Sequence, residues 1–204
     1  LYPSTLPTGQ IKTVTIKRSR TDNWYVSFVC DNVPSKSYPT SDKEIGIDVG
    51  IKSFCVDSDE NYIQNPKYFR QSEKELRRKQ RNLSRKIKGS NRRIKSRIQV
   101  AKVHEKISNQ RKDFLHKTSD YYIKNYKTIY VEDLNVNNMI KNKHLSKSIS
   151  DASWSTFFNY LMYKVEETDR KIVKVNPNST SQICSNCGEK VPKSLSVRIH
   201  NCPY

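Results

Sequence analysis

Alternating apolar and polar positions predict strands in the first third of the chain. Residues 11–17 (IKTVTIK) and 24–30 (WYVSFVC) each alternate, and the intervening RSRTDN is turn-forming, so the pair predicts a β-hairpin. Pro34 and Pro39 close this unit and place a boundary near residues 39–42. Three further strand-like pieces follow, at 45–51 (IGIDVGI), 53–56 (SFCV) and 61–64 (NYIQ), with SDEN as a turn. Strands in such quick succession predict an antiparallel meander.

The pattern then changes period. From about residue 70 to 126, strand formers give way to Lys, Arg, Glu and Gln. Leu83, Ile87, Ile94 and Ile98 recur at helical intervals and predict an apolar stripe on a charged rod. Gly89 and Ser90 interrupt the rod, so two long helices joined as a hairpin are expected. A second stripe of Phe114, Leu115, Thr118, Tyr121 and Tyr122 continues the later helix. Residues 128–134 (TIYVEDL) read as a buried strand, and 135–151 as a polar loop with short helix. Trp154, Phe157, Phe158, Leu161 and Val165 fall on one helical face, with Asp151 as the expected N-cap. Residues 171–177 (KIVKVNP) form a last strand, stopped by Pro177. Strand–helix–strand after a meander predicts an α/β layer on a mixed sheet.

Composition narrows the function. The 204 residues carry a net charge of +18 and a pI near 9.7, which points to a polyanionic partner. The chain is 34% hydrophobic with a mean hydropathy of −0.84, and no apolar run approaches the ~20 residues that span a bilayer. No signal-peptide pattern opens the sequence, so a cytoplasmic, nucleoid-associated protein is expected.

Two acids stand out. Asp48 lies inside the apolar run 45–50 (IGIDVG), where a carboxylate is costly to bury without a partner. On a period of two it shares a face with Gly46 and Gly50, small residues that leave room for a phosphate backbone. Glu132 ends another apolar strand, and alternation puts the adjacent Asp133 on the opposite face. Carboxylates from neighbouring strands suit Mg²⁺ or Mn²⁺, hard ions that prefer oxygen ligands. A pair of such ions ~4 Å apart can activate water and stabilise the leaving oxygen in phosphodiester cleavage.

The helical hairpin supplies the complementary charge. Arg77, Arg78, Arg81, Arg85, Lys86, Arg92, Arg93 and Arg97, with Lys52 near Asp48, are candidate nucleic-acid contacts. Few acids are interleaved to pair with them. Among the cysteines, Cys30 and Cys55 sit alone in strand-like runs and read as small buried residues. Cys184 and Cys187 form a C-x-x-C knuckle followed by Gly188, half of a zinc ribbon, with Cys202 opening the second half. A redox C-x-x-C, or His200 as a further ligand, stays open from spacing alone.

Taken in order, the stretches GIDVGIKSF, SRKIKGSNRRIKSRIQVAKVHEKISNQRKDFLHKTS, YVEDLNVNNM, SISDASWSTF and NPNSTSQICSNCG resemble TnpB. This is the RNA-guided DNA endonuclease family of bacterial insertion sequences, also called OrfB-type transposases, whose core type V CRISPR effectors share. The resemblance implies an RNase H-like (RuvC) α/β fold with a mixed sheet and an inserted long helical hairpin at about 70–126. Residues 1–40 would be closing strands of an OB-like β-barrel (wedge domain), 41–178 the nuclease core, and 179–204 an incomplete zinc ribbon. It implies Asp48 and Glu132 as Mg²⁺-holding catalytic acids, and Cys184, Cys187 and Cys202 as three of four zinc ligands. It implies guide RNA and target DNA as partners, with the basic arm on their heteroduplex and the ribbon bracing the substrate strand. The family's helical recognition region, fourth cysteine and third catalytic aspartate have no counterpart in these residues. The expectation is therefore a fragment with absent or very weak cleavage, the alternative being a non-catalytic nucleic-acid-binding remnant.

Overall fold

In the computed structural model of the protein, the described residues are 9–34, 38–166, 168–177, 182–184, 186–192 and 201–203. The expected hairpin is present: β1 (Gln10–Arg18) pairs antiparallel with β2 (Trp24–Asp31). Neither face of it is covered among the described residues, so Ile16 and Trp24 are each 66% exposed. For the same reason Cys30, expected to be buried, is only half so. The hairpin tip is tied to the helical arm through Glu105, whose carboxylate accepts from the Thr21 hydroxyl at 2.7 Å and the Tyr25 hydroxyl at 3.2 Å.

The meander follows as β3 (Glu44–Val49), β4 (Ser53–Asp57) and β5 (Tyr62–Gln64), antiparallel in sequence order. After the helices α1 (Tyr68–Ser84) and α2 (Asn91–Asn125), β6 (Thr128–Glu132) lies parallel to β3. The short α3 (Val136–Met139) and α4 (Ser146–Ala152) lead to α5 (Trp154–Val165) and to β7 (Lys171–Val175), parallel to β6. Among the described residues this makes a five-stranded mixed sheet in the order β5-β4-β3-β6-β7, an α/β architecture as the alternation of periods predicts.

The core lies where the second half of α2 and α5 meet the sheet. Leu115, Tyr122 and Ile123 of α2 and Phe157 and Leu161 of α5 are fully buried with Ile45, Phe54 and Ile129. Phe54 meets Phe114 and Phe157 edge-on, at ring distances of 4.9 and 5.1 Å. Each such ring contributes about 2–3 kcal/mol by leaving water. Arg170, whose side chain is wholly buried, donates to the carbonyls of Ile123, Ser41 and Pro39, pinning residues 39–41 to the core.

Two expectations are corrected. The arm does not close on the stripe Leu83, Ile87, Ile94, Ile98; α1 meets α2 through Leu76, Val103 and Ile107. Helix α1 ends at Ser84, so Ile87 falls in the connecting turn, where it is 81% exposed and belongs to no helical face. The break itself is where Gly89 and Ser90 place it: Gly89 takes φ 83°, and the Ser90 hydroxyl caps α2 by accepting from Arg93 N–H at 3.2 Å. Asp151 does not cap α5, because it is already inside α4. Its buried carboxylate instead accepts from the Phe69 N–H at 3.1 Å, in the first turn of α1, where Lys67 provides no side-chain cap. The same carboxylate holds the Arg111 guanidinium at 2.9 Å.

Candidate functional site

Strands β3 and β6 run side by side with Ile45 opposite Ile129, Gly46 opposite Tyr130 and Ile47 opposite Val131. The core takes Ile45, Ile47, Ile129 and Val131, each at most 4% exposed. Strict alternation then turns Gly46 and Asp48, like Tyr130 and Glu132, to the other face. Carrying the register one residue on sets Asp48 beside Glu132 at the carboxyl ends of two parallel strands. Asp48 is exposed and Glu132 half-buried. The chain leaves β3 toward β4 on one side while β6 leads to β7 on the other, so the acids flank the switch point of the sheet, where α/β proteins place their ligands.

Beside Glu132 is a cleft of about 400 Å³ lined by Glu132, Asp133, Asn135, Ser155, Asn159 and Lys174, among others. Asp133 is engaged elsewhere: its carboxylate holds Lys174 Nζ at 3.2 Å, and its N–H donates to the Val175 carbonyl at 2.9 Å. Around Asp48 the backbone is open. A Cβ on Gly46 would find Ser58 no closer than 3.9 Å, whereas one on Gly50 would sit 3.1 Å from the Ser53 carbonyl oxygen. Gly50 therefore serves the tight β3–β4 turn, and Gly46 leaves approach to the acid's face unobstructed.

A third acid, Asp57, is buried and structural. Its carboxylate accepts from Asn61 N–H at 2.9 Å, Asp59 N–H at 3.1 Å and the Tyr122 hydroxyl at 3.2 Å. Tyr122 also meets Cys55 Sγ at 3.5 Å. Burial pushes the Tyr122 hydroxyl well above the usual tyrosine range and the Cys55 thiol up to about 11, so both stay protonated. Sequence reasoning passed over Asp57, although Asp57 followed by Asn61 in a turn is the signal of a side chain folding back on its own backbone.

The arm presents Arg77, Arg78, Arg81, Arg85, Arg92 and Arg97 exposed, with Lys86 half-buried; Lys52 is exposed on the β3–β4 turn. Arg93 is different. Its Nη1 donates to the Leu83 and Lys86 carbonyls at 3.1 and 3.0 Å, satisfying the last turn of α1. An arginine counted among the nucleic-acid contacts thus holds the arm's own turn together.

At the C-terminal end, the sulfurs of Cys184, Cys187 and Cys202 all lie within 4.8 Å of one another, Cys187 and Cys202 at 3.5 Å. Bonds of ~2.3 Å to one tetrahedral zinc would set thiolates about 3.8 Å apart, so the three fit one ion. Backbone N–H groups of Cys187 and Asn186 bring the Cys184 thiol down to about 6, favouring the thiolate that a metal needs. Gly188 closes the knuckle at φ 76°. His200, the other possible ligand, lies outside the described residues.

With this geometry in place, comparison with known proteins is decisive at the level of family. Residues 27–143, more than half the chain, match the OrfB_IS605 family, described as "Probable transposase". The chain belongs to the OrfB_IS605 family. Residues 154–204 of this OrfB_IS605 member also match the Cas12f1-like TNB domain. It is 39% identical over 97% of its length to a "Putative RNA-guided DNA endonuclease" of Streptomyces pristinaespiralis, covering 50% of that protein. It is 33% identical over 89% of its length to "Putative RNA-guided DNA endonuclease InsQ" of Escherichia coli K12, covering 48%. The chain thus spans about half the length of these relatives. A solved Cas12f1–sgRNA–target DNA complex is 23% identical with a TM-score of 0.49, over 87% of this chain and 45% of that one. Among the described residues, no helix is long and apolar enough to cross a membrane.

Proposed function

We propose that this OrfB_IS605 member is the RuvC-type nuclease half of an RNA-guided DNA endonuclease, working on target DNA paired with a guide RNA. The observation that carries the reading is the parallel register of β3 and β6, Ile47 opposite Val131, which continued by one residue leads to Asp48 and Glu132, with a basic arm inserted between these strands in sequence. A meander followed by two parallel strands in the order β5-β4-β3-β6-β7 supports an RNase H-like core. The exposed β1–β2 hairpin is consistent with part of an OB-like barrel.

Asp48 and Glu132 would hold Mg²⁺ or Mn²⁺, since both offer only oxygen and one of them is open to solvent. Ions bound there would supply an activated water and a counter-charge for the leaving oxygen of a phosphodiester. What the chain itself contributes is placement. The core-side isoleucines fix both strand ends, Lys174 draws Asp133 away from the pair, and Gly46 leaves the face clear for a phosphate. Cys184, Cys187 and Cys202 would hold Zn²⁺ as part of a ribbon, bracing the C-terminal segment.

The test grafts this chain in place of the corresponding half of the Streptomyces relative and follows guide-dependent cutting of labelled DNA in Mg²⁺. Cutting by the graft, and a loss of at least about 10³-fold in its Asp48→Ala and Glu132→Gln forms with binding retained, are expected. Undiminished cutting by Asp48→Ala removes that residue from the site. A graft that binds DNA with steep salt dependence yet never cuts supports the second reading, a non-catalytic nucleic-acid binder, which the net charge of +18 favours.

A further inference from the structure

The cations of the arm are not spread evenly around it. At about 100° per residue, Arg70, Lys74, Arg77, Arg78 and Arg81 of α1 and Arg85, its C-cap, fall within about 100° of arc, centred about 150° from the buried Leu76. All six are exposed. At ~1.5 Å per residue the band runs about 22 Å, with steps of about 4.5–6 Å along the axis except between the adjacent Arg77 and Arg78, about 1.5 Å apart. The same six residues, with Glu73 and Glu75 among others, line a groove of about 1120 Å³.

Other cations of the arm have tasks within the fold. Lys79, on α1's flank, reaches Gln99 of α2 at 3.3 Å; Arg93 caps the turn; Arg111 pairs with Asp151. In the row itself, Arg77 is bonded to Glu73 at 2.8 Å and Arg70 touches the Ser148 hydroxyl at 3.4 Å. Lys74, Arg78, Arg81 and Arg85 make no ion pair among the described residues. Glu73 is also held by Lys147 of α4 at 2.8 Å, which keeps this acid at the margin of the row.

We infer that the outward face of α1 is a rail for the sugar–phosphate backbone of one unpaired nucleic-acid strand. This rests on the nucleic-acid reading above and names the form of the ligand. A band that follows the helix axis matches a strand that can straighten along it. Each backbone of a duplex winds around its axis and would leave a straight line after two or three phosphates. The row carries no aromatic side chain for bases to stack on, so the contact is to phosphates and indifferent to sequence. Five or six neutralised phosphates on a single strand give a slope of log K against log salt near −4, at about −0.7 per phosphate.

The experiment measures binding by the full 204-residue chain carrying Asp48→Ala, without added Mg²⁺, so that the nuclease reading stands or falls separately. Probes are a 20-nucleotide RNA, a DNA of the same sequence, and the corresponding duplex. The triple variant R78Q/R81Q/R85Q is compared with K102Q/K106Q/K112Q, which removes the same charge from exposed positions on α2. Circular dichroism verifies that both remain folded. The rail variant is expected to lose about 30- to 100-fold in single-strand affinity at 0.1 M salt and about 2 from the slope. The control is expected to lose severalfold at most. Loss with RNA alone, DNA alone or both supports the rail and identifies its strand. Equal loss in the two triples, loss confined to the duplex, or an unchanged slope overturns it.

Discussion

The sheet and the helical arm solve opposite problems with the same chain. In the sheet, four buried aliphatic residues on two strands determine where two carboxylates sit, and a shift of one residue would turn both to the wrong face. In the arm, the joint contact is the small cluster of Leu76, Val103 and Ile107, and most of the length is solvated charge. Placing a metal ion needs sub-ångström constancy, which burial provides. Gripping a flexible polyanion needs many cations with little geometric demand on each, and an exposed helix provides that at small cost in stability.

Substitutions can break or sharpen this contrast. The largest effect belongs to the core: Phe157→Ala removes a fully buried ring beside Phe54 and should cost about 4 kcal/mol in urea unfolding. Next is Asp151→Ala, at the joint between arm and core. It leaves the Arg111 charge without its partner and the first turn of α1 uncapped, for about 3 kcal/mol after allowing for the partial exposure of Arg111. If the arm were an independent appendage, that change would spare the melting of the sheet. Ser90→Ala, which removes the cap of α2, should cost about 1 kcal/mol. Ile87→Ala should stay within about 0.5 kcal/mol, and a larger loss would show that the turn has a partner after all.

The smallest effect is one of pH. Burial, then the Lys164 charge, holds His116 below the usual histidine range. Its neutral form is favoured in the folded chain, so stability is full above the unfolded value near 6.5 and declines as pH falls below it. His116→Gln should flatten that part of the stability–pH curve, measured by urea unfolding between pH 5 and 7.

The strands were legible in the sequence because a period of two reports a face directly. Asp48 and Glu132, each following apolar residues whose alternate members are buried, could be put on one side before any register was known. The arm was legible in length and in its break at Gly89 and Ser90, but not in its contact. Periodicity finds every apolar stripe and cannot say which one meets a neighbour; Ile87 and Ile94 keep helical spacing with no helix opposite. Asp151 and Arg93 escaped for a related reason. An acid before an apolar helix looks like that helix's cap, and an arginine among arginines looks like another phosphate contact. Each is bound instead to an element other than its own, Asp151 to α1 far earlier in the chain and Arg93 to the end of the helix just before it.

The continuity of α2 has a practical corollary. One 35-residue helix has its last three turns embedded under the sheet and its first turns in open solvent, beyond Val100. Because the β3–β6 ladder fixes its own alignment, whole helical turns could be trimmed from or added to the outer end of both arm helices without moving the two strand ends. On the proposed function, the reach of the arm toward a nucleic acid is thus an adjustable dimension, engineered separately from the two acids at its base.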